Sequence, residues 1–223
     1  MKKVNAYLLT ATAVGSLLVS SCATQSNRAI NTPVVATYQS DYQGEKTPLV
    51  VTKFENRSNY QSGLFSSDND QMGNQAKTIL KAHLQQTNYF NVMDRDDLAG
   101  QKQEAELLGV TQNIKGARYT ISGSVTEFGR KEIGDHQFFG ILGSGKKQIA
   151  YANVTLTVSD VLTSQIVYSV QGAGEYQLST REIVGFGGTA SYDSTLNGKV
   201  LNFAITEAVN KMVEALDDGK WDK

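Results

Sequence analysis

Few of the 223 residues have side chains suited to covalent or metal chemistry, and those few are scattered. Cys22 is the one cysteine, which excludes an internal disulfide. The two histidines, His83 and His136, lie far apart, and two imidazoles with one thiol fall short of the four ligands of a structural zinc site. His83 stands beside Leu80 and Leu84 at helical spacing, which suits a helix flank better than a general base. His136 sits in a charged stretch without a second imidazole nearby. Asp94, Asp96 and Asp97 cluster at a helix start, where carboxylates complement the positive end of the helix dipole. Gly140-x-x-Gly143-x-Gly145 lacks both the spacing of a phosphate loop and the strand-to-helix setting such a loop needs. The expectation is no enzyme, no metal and no cofactor.

There remains the thiol of Cys22 and its setting. Met1-Lys2-Lys3 precedes an apolar run from Ala6 to Val19 that closes on Val19-Ser20-Ser21-Cys22. A basic start, an apolar core too short to persist as a spanning helix, and small residues before a cut site read as an export signal. The final residues resemble the bacterial lipobox. That resemblance implies cleavage before Cys22 and lipid, palmitate included, on the new terminus; several acyl chains anchor stably where one anchors marginally. Ala23 follows, and by resemblance to the bacterial sorting rule the absence of Asp there implies the outer membrane, with the body on its periplasmic face. The alternative is an ordinary cleaved signal followed by a coincidental cysteine.

Removing Lys2 and Lys3 from the 21 basic residues leaves 19 against 22 acidic ones, a formal balance of −3. No basic field points to nucleic acid. About 200 mature residues at ordinary apolar content suffice for one packed domain. Beyond the signal no run of about 18 apolar residues appears, which excludes a spanning helix and leaves spanning strands open. The expected organisation is signal 1–21, lipidated terminus and polar tether 22–46, and one domain over 47–223.

Within that domain Leu49 to Phe54 is a β-branched run suited to a buried strand. A polar stretch from Glu55 to Asp70 follows. Met72, Ala76, Ile79, Leu80 and Leu84 recur at helical spacing, Tyr89 to Met93 reads as a strand, and Asp94 or Asp96 can cap a second helix presenting Leu98, Ala105 and Leu108. Strands are expected at Tyr119 to Val125, Ala150 to Val158 and Ile166 to Val170, with a turn at Asp160 to Ser164. Leu201, Ala204, Ile205, Ala208, Val209, Met212, Val213 and Leu216 form the cleanest amphipathic helix, which Gly219 can end in a left-handed cap. The fold class is α+β, a mixed sheet with flanking helices in two or three layers.

The blocks Pro48 to Ser58, Leu80 to Arg95, Gly116 to Phe128 and Val154 to Val170, with the long last helix and the lipobox upstream, resemble the CsgG family of lipoproteins, which includes the curli secretion channel. The resemblance covers roughly Pro48 to Trp221. It implies a periplasmic α/β domain with two β-hairpin extensions that protomers pool into one oligomeric outer-membrane β-barrel. It also implies a loop after the first strand that narrows the pore. Here that loop offers Tyr60, Leu64 and Phe65.

The hairpins fall at about 125–151 and 168–192. A barrel strand needs about 9 to 11 residues with one apolar face. In the second hairpin, Tyr168, Val170, Tyr176 and Leu178 share one face, Ser179 to Glu182 form the turn, and Val184, Phe186, Ala190 and Tyr192 line the return strand. The first carries charge in both phases, Arg130 and Glu132 in one and Lys131 and Asp135 in the other, so a bulge or placement near the interface is required. Phe138 to Lys147 would form its tip.

The functional expectation is an oligomeric channel or assembly component that exports curli-like subunits, partnered by the outer membrane, by copies of itself and by exported or periplasmic proteins. The alternative is a non-pore periplasmic adaptor of the same fold, such as a peptidoglycan synthase activator. Those activators share an Asn-Arg-(Ser/Thr) turn after the first strand, but have long proline-rich tethers, whereas this chain has two prolines in all.

Overall fold

The structure is a computed structural model. It describes residues 42–60, 70–136, 144–182 and 196–221, with side chains at 42–60, 70–131, 149–177 and 197–221. The chain divides into two compact units, Met1–Thr32 and Pro33–Lys223, and the first lies outside the described residues. The described elements are β1 (Thr47–Asn56), α1 (Gln71–Gln86), β2 (Phe90–Met93), α2 (Leu98–Leu107), β3 (Tyr119–His136), β4 (Ser144–Asp160), β5 (Ile166–Glu182) and α3 (Leu196–Asp217). The sheet order is β2-β1-β3-β4-β5. β1 runs parallel to β2 and β3, and the remaining pairs are antiparallel, which makes the sheet mixed as expected.

Helical spacing on α1 and α3 decides where the core lies. Met72, Ala76, Leu80 and Leu84 of α1 are buried, as is every apolar residue from Val200 to Leu216 that the spacing selects on α3. The two helices touch each other and pack on the face of the sheet that presents Leu49, Val51, Ile121, Val154, Leu156, Val158 and Val170. Asp70 caps α1 by accepting from Gly73 N at 2.8 Å, and its other oxygen accepts from Asn56 N at 2.7 Å, so the cap also ties the helix to the end of β1. α3 ends in a Schellman arrangement. Gly219 takes φ +67, Gly219 N donates to Leu216 O at 3.0 Å, and Lys220 N donates to Ala215 O at 2.9 Å. Trp221 then folds back, buried, donating Nε1–H to Met212 O at 3.2 Å amid the rings of Phe90, Tyr119 and Tyr168.

Two glycines set how close α3 comes to the sheet. A Cβ at Gly172 would lie 2.1 Å from Ala204 O and 2.7 Å from Ala208 N; one at Gly174 would lie 2.5 Å from Val200 O. Those obstacles are helix backbone, which cannot rotate aside.

Several elements depart from the expected ones. The strand in β5 does not turn at Ser179 to Glu182; these residues pair with Lys147 to Ser144 of β4. Polarity suggested a turn, but polar residues suit a strand whose faces both meet solvent or a second strand. Packing also begins upstream of the expected boundary at 47, because the Tyr42 ring stacks on Tyr89 with centroids 4.0 Å apart. The cap of α2 is Asp97, which accepts from Gly100 N at 3.0 Å, rather than Asp94 or Asp96. α2 buries none of its residues, leaving Leu107 and Leu108 about three-quarters exposed and Leu98 and Ala105 half-buried.

Asp94 and Asp96 hold lysines of α1 instead. Lys81 reaches Asp94 at 2.6 Å and Asp96 at 2.7 Å, and Lys77 reaches Asp96 at 2.6 Å. The Lys81 hydrogen bond holds the Asp94 carboxyl below its ordinary range, and those of Lys77 and then Lys81 do the same for Asp96. Carboxyls depressed in the folded state contribute stability above their unfolded pKa of about 4, and that contribution disappears as pH falls through the lower folded values. Because both carboxylates are about half exposed, solvent screening limits the cluster to about 0.5–1 kcal/mol. Lys81→Met is therefore expected to lower stability by that amount at pH 7 and by less as pH is taken below 4, read from urea midpoints across the range. An equal loss at every pH would refute the electrostatic origin. In the same assay Gly172→Ala should cost about 1–3 kcal/mol through overpacking. Gly116→Ala, where an added Cβ meets nothing within 4 Å, should cost little.

Candidate functional site

The loop after β1 begins in a tight polar knot. Asn56 Oδ1 accepts from Ser58 Oγ at 2.6 Å and from Ser58 N at 3.1 Å, while Asn56 Nδ2 donates to Tyr60 O at 2.9 Å. This is how the Asn56-Arg57-Ser58 turn is built: a short amide side chain replaces backbone partners. Arg57 N donates to Val125 O at 2.9 Å and fixes the knot to β3. Tyr60 packs inward, its ring 4.6 Å from that of Phe128. Tyr60 is half-buried against the core, with Phe128 as its apolar partner. Leu64 and Phe65 lie outside the described residues.

Over the described residues β3, β4 and β5 form one continuous three-stranded ribbon, which holds the first expected hairpin and the outgoing strand of the second; the return strand expected at 183–192 lies outside the described residues. β3 pairs with β4 from Tyr119↔Asp160 to His136↔Ser144, and β4 pairs with β5 as far as Ser144↔Glu182. A register shift between Val125 and Glu127 leaves Thr126 as an extra residue, a bulge of the kind the charged phases required. Its effect is to reverse the alternation, so that Val125 and Phe128 are both buried. Arg130 then reaches the start of α3, where its Nε donates to Asn197 Oδ1 at 3.1 Å. From the Arg130–Ala150–Tyr176 row the three strands remain paired to the His136–Ser144–Glu182 row, roughly 20 Å further at 3.3–3.4 Å per residue.

On β5, Tyr168, Val170 and Tyr176 share one face as expected, but that face is turned to α3. Tyr168 stacks on Trp221 with centroids 6.0 Å apart, Val170 is buried, and Tyr176 stacks on Phe203 at 6.3 Å with Lys199 Nζ 4.9 Å from its ring centre. The lipid-facing reading of these three is thus corrected: a strand under a helix and a strand against lipid show the same alternation, and here the helix occupies the face. Leu178 is paired with Gln148 through its backbone, its side chain lying outside the described residues, as do Val184, Phe186, Ala190 and Tyr192. Cys22 also lies outside them.

Among the described residues no group of three His, Cys, Asp or Glu stands close enough to hold a metal ion. His83 is buried between α1 and α3, its Nε2 2.7 Å from Asn202 Oδ1 and 3.3 Å from Thr206 Oγ1. Sequence reading placed His83 on a helix flank and did not find this contact. The signal was the Asn202, Thr206 and Asn210 series, four residues apart on α3. Near Tyr42 a cleft of about 490 Å³ is lined by Lys46, Pro48, Arg118, Tyr119 and Asp217. Two of its charged groups are engaged, Asp217 with Tyr89 OH at 2.9 Å and Lys46 with Asn88 Oδ1. The side chains of 179–182, the expected second hairpin tip, and the segment containing Gly140 and Gly143 lie outside the described residues.

Comparison with known proteins places this architecture. Over 221 residues, 99% of this chain and 98% of the other, the chain is 56% identical to NMB1126/NMB1164 of Neisseria meningitidis serogroup B, whose name carries a proposed lipoprotein assignment. Among solved structures it is similar to the PelC dodecamer of Paraburkholderia phytofirmans, with 16% identity, a TM-score of 0.37, and coverage of 82% of this chain and 93% of that one. It is also similar to the LpoB C-terminal domain of Salmonella enterica, with 18% identity, a TM-score of 0.32, and coverage of 59% and 85%. Scores this low carry no conclusion about assembly. The model of the curli production assembly/transport component CsgG matches residues 33–223, spanning every described element from β1 to α3. With a match of that extent, the chain belongs to the CsgG family.

Proposed function

We propose that this protein is an outer-membrane lipoprotein, acylated at Cys22 and facing the periplasm, that works as an oligomeric assembly or channel component in export of curli-like protein subunits. Family membership supports the envelope setting, together with the export signal and lipobox-like residues that end at Cys22. The observation that carries the oligomeric reading is the ribbon of β3, β4 and β5 beyond the Arg130–Ala150–Tyr176 row. Three paired strands standing clear of α3 at its first turn are a ready element for joining neighbours or entering a bilayer. Anchoring by 1–21 cleavage and a tether upstream of Tyr42 would hold the body close to the membrane face.

A non-pore periplasmic adaptor is the second reading, and one observation favours it. Tyr168, Val170 and Tyr176 pack against α3 and Trp221, so these three residues turn no apolar face to lipid.

Cys22→Ala is expected to leave the membrane pellet and appear in the soluble periplasmic fraction, while the wild-type protein carries an acyl mass increment on its N-terminal peptide. A variant that stays in the lipid-extracted fraction would refute the anchor. Native mass measurement and negative-stain imaging of the lipidated protein in mild detergent should give closed rings with a central opening. A monomer or small oligomer would sink the channel reading and leave the adaptor.

A further inference from the structure

β5 is the last strand of the sheet among the described residues, so its outer backbone groups have no neighbouring described strand. Such an edge is a template for adding another chain, and proteins commonly block it. Alternation along β5 turns the N–H and C=O groups of Gln171 and Ala173 outward, while Gly172 and Gly174 turn their backbone groups to β4. Two side chains of α3 meet those outward groups. Lys211 Nζ donates to Gln171 O at 3.1 Å, and the Glu207 carboxylate accepts from Ala173 N. Lys211 and Glu207 stand one turn apart and are themselves paired at 2.9 Å.

The pattern of partners is specific. In a parallel pair, one residue of the incoming strand donates to the carbonyl of the residue before its opposite number and accepts from the amide of the residue after it. Around Gly172 those groups are Gln171 O and Ala173 N–H, which Lys211 and Glu207 satisfy with one donor and one acceptor. The ion pair thus imitates one residue of a parallel strand. It can do so because Gly172 and Gly174 let α3 lie against the edge strand, with Ala204 and Ala208 over Gly172, so side chains on its flank reach around the edge. The Ala173 amide and then Lys211 hold the Glu207 carboxyl below its usual range, consistent with a charged acceptor at this place.

We propose that Glu207 and Lys211 form a guard that closes the β5 edge at Gln171 and Ala173 against addition of another polypeptide strand, and so confines any strand pairing of this protein to other parts of the sheet. The inference is independent of whether the protein forms a pore, because its test compares variants with the wild type in the same state.

In the full-length protein in mild detergent, Glu207→Ala with Lys211→Ala removes both partners. The amide of Ala173 is then expected to exchange with deuterium about tenfold faster, the scale for loss of a charge-assisted hydrogen bond. The double variant should also gain concentration-dependent species larger than the wild-type assembly, with increased thioflavin T fluorescence. Glu207→Gln retains an acceptor oxygen and should keep the wild-type mass distribution. Glu207→Ala alone, a milder change, should show the same direction if the double variant folds poorly. Unchanged exchange at Ala173 would overturn the proposal. Faster exchange without any gain in association would overturn it too, reducing the pair to a local cap.

Discussion

The position of α3 against β5 is the constraint on which the rest of the structure depends. Gly172 and Gly174 allow backbone to approach backbone, and any side chain there would collide with Ala204 O or Val200 O. Once α3 lies this close, its apolar face from Val200 to Leu216 is buried against β4 and β5, and its other flank meets α1 through His83, Asn202 and Thr206. Its end is then placed so that Trp221 closes the aromatic group formed with Phe90, Tyr119 and Tyr168. Five elements, α1 and β2 to β5, are thereby joined by one helix and the turn that ends it, and burial of large aromatic and aliphatic side chains is the dominant favourable term.

The same placement explains which parts of the chain were legible in the sequence. The cores of α1 and α3 were readable because a helix buried on one face writes that face into a 3.6-residue period, and Leu80, Leu84, Leu201, Ile205 and Met212 are all fully buried. Alternation in β4 from Ala150 to Val158 was readable for the corresponding reason. What alternation cannot state is the identity of the neighbour. Tyr168, Val170 and Tyr176 repeat every second residue whether lipid or a helix covers them, and only the tertiary position of α3 decides. The length of β5 was hidden likewise, since Ser179 to Glu182 have turn-like polarity but pair with Lys147 to Ser144. Asp97 was a matter of one residue among three aspartates, settled by which carboxylate faces Gly100 N.

The candidate site was legible only in outline. The first hairpin's charges called for a bulge or for placement near an interface; a bulge is present at Thr126, and it also directs Phe128 to the core and Arg130 to Asn197, which the sequence did not indicate. Tyr60 shows the same limitation. Nothing in the loop after β1 names the ring that Tyr60 meets, and Phe128 reaches that place only because Thr126 shifts the register. One extra residue in β3 therefore decides the fate of an aromatic more than sixty positions earlier.

The faces of the sheet also limit where a membrane could meet it. α1 and α3 take one face, and on the other Ser122, Thr157 and Ser169 lie in one cross-strand row, with Ser124, Thr155 and Gln171 in the next. Threonine suits a strand through its branched Cβ while its hydroxyl tolerates water, and rows of hydroxyl and amide groups fit a solvated face rather than hydrocarbon. Down to the Arg130–Ala150–Tyr176 row, then, one face of β3, β4 and β5 is filled by helices and the other is polar. Over these rows, which end at Asn197 in the first turn of α3, neither face of the three strands offers an apolar surface to hydrocarbon.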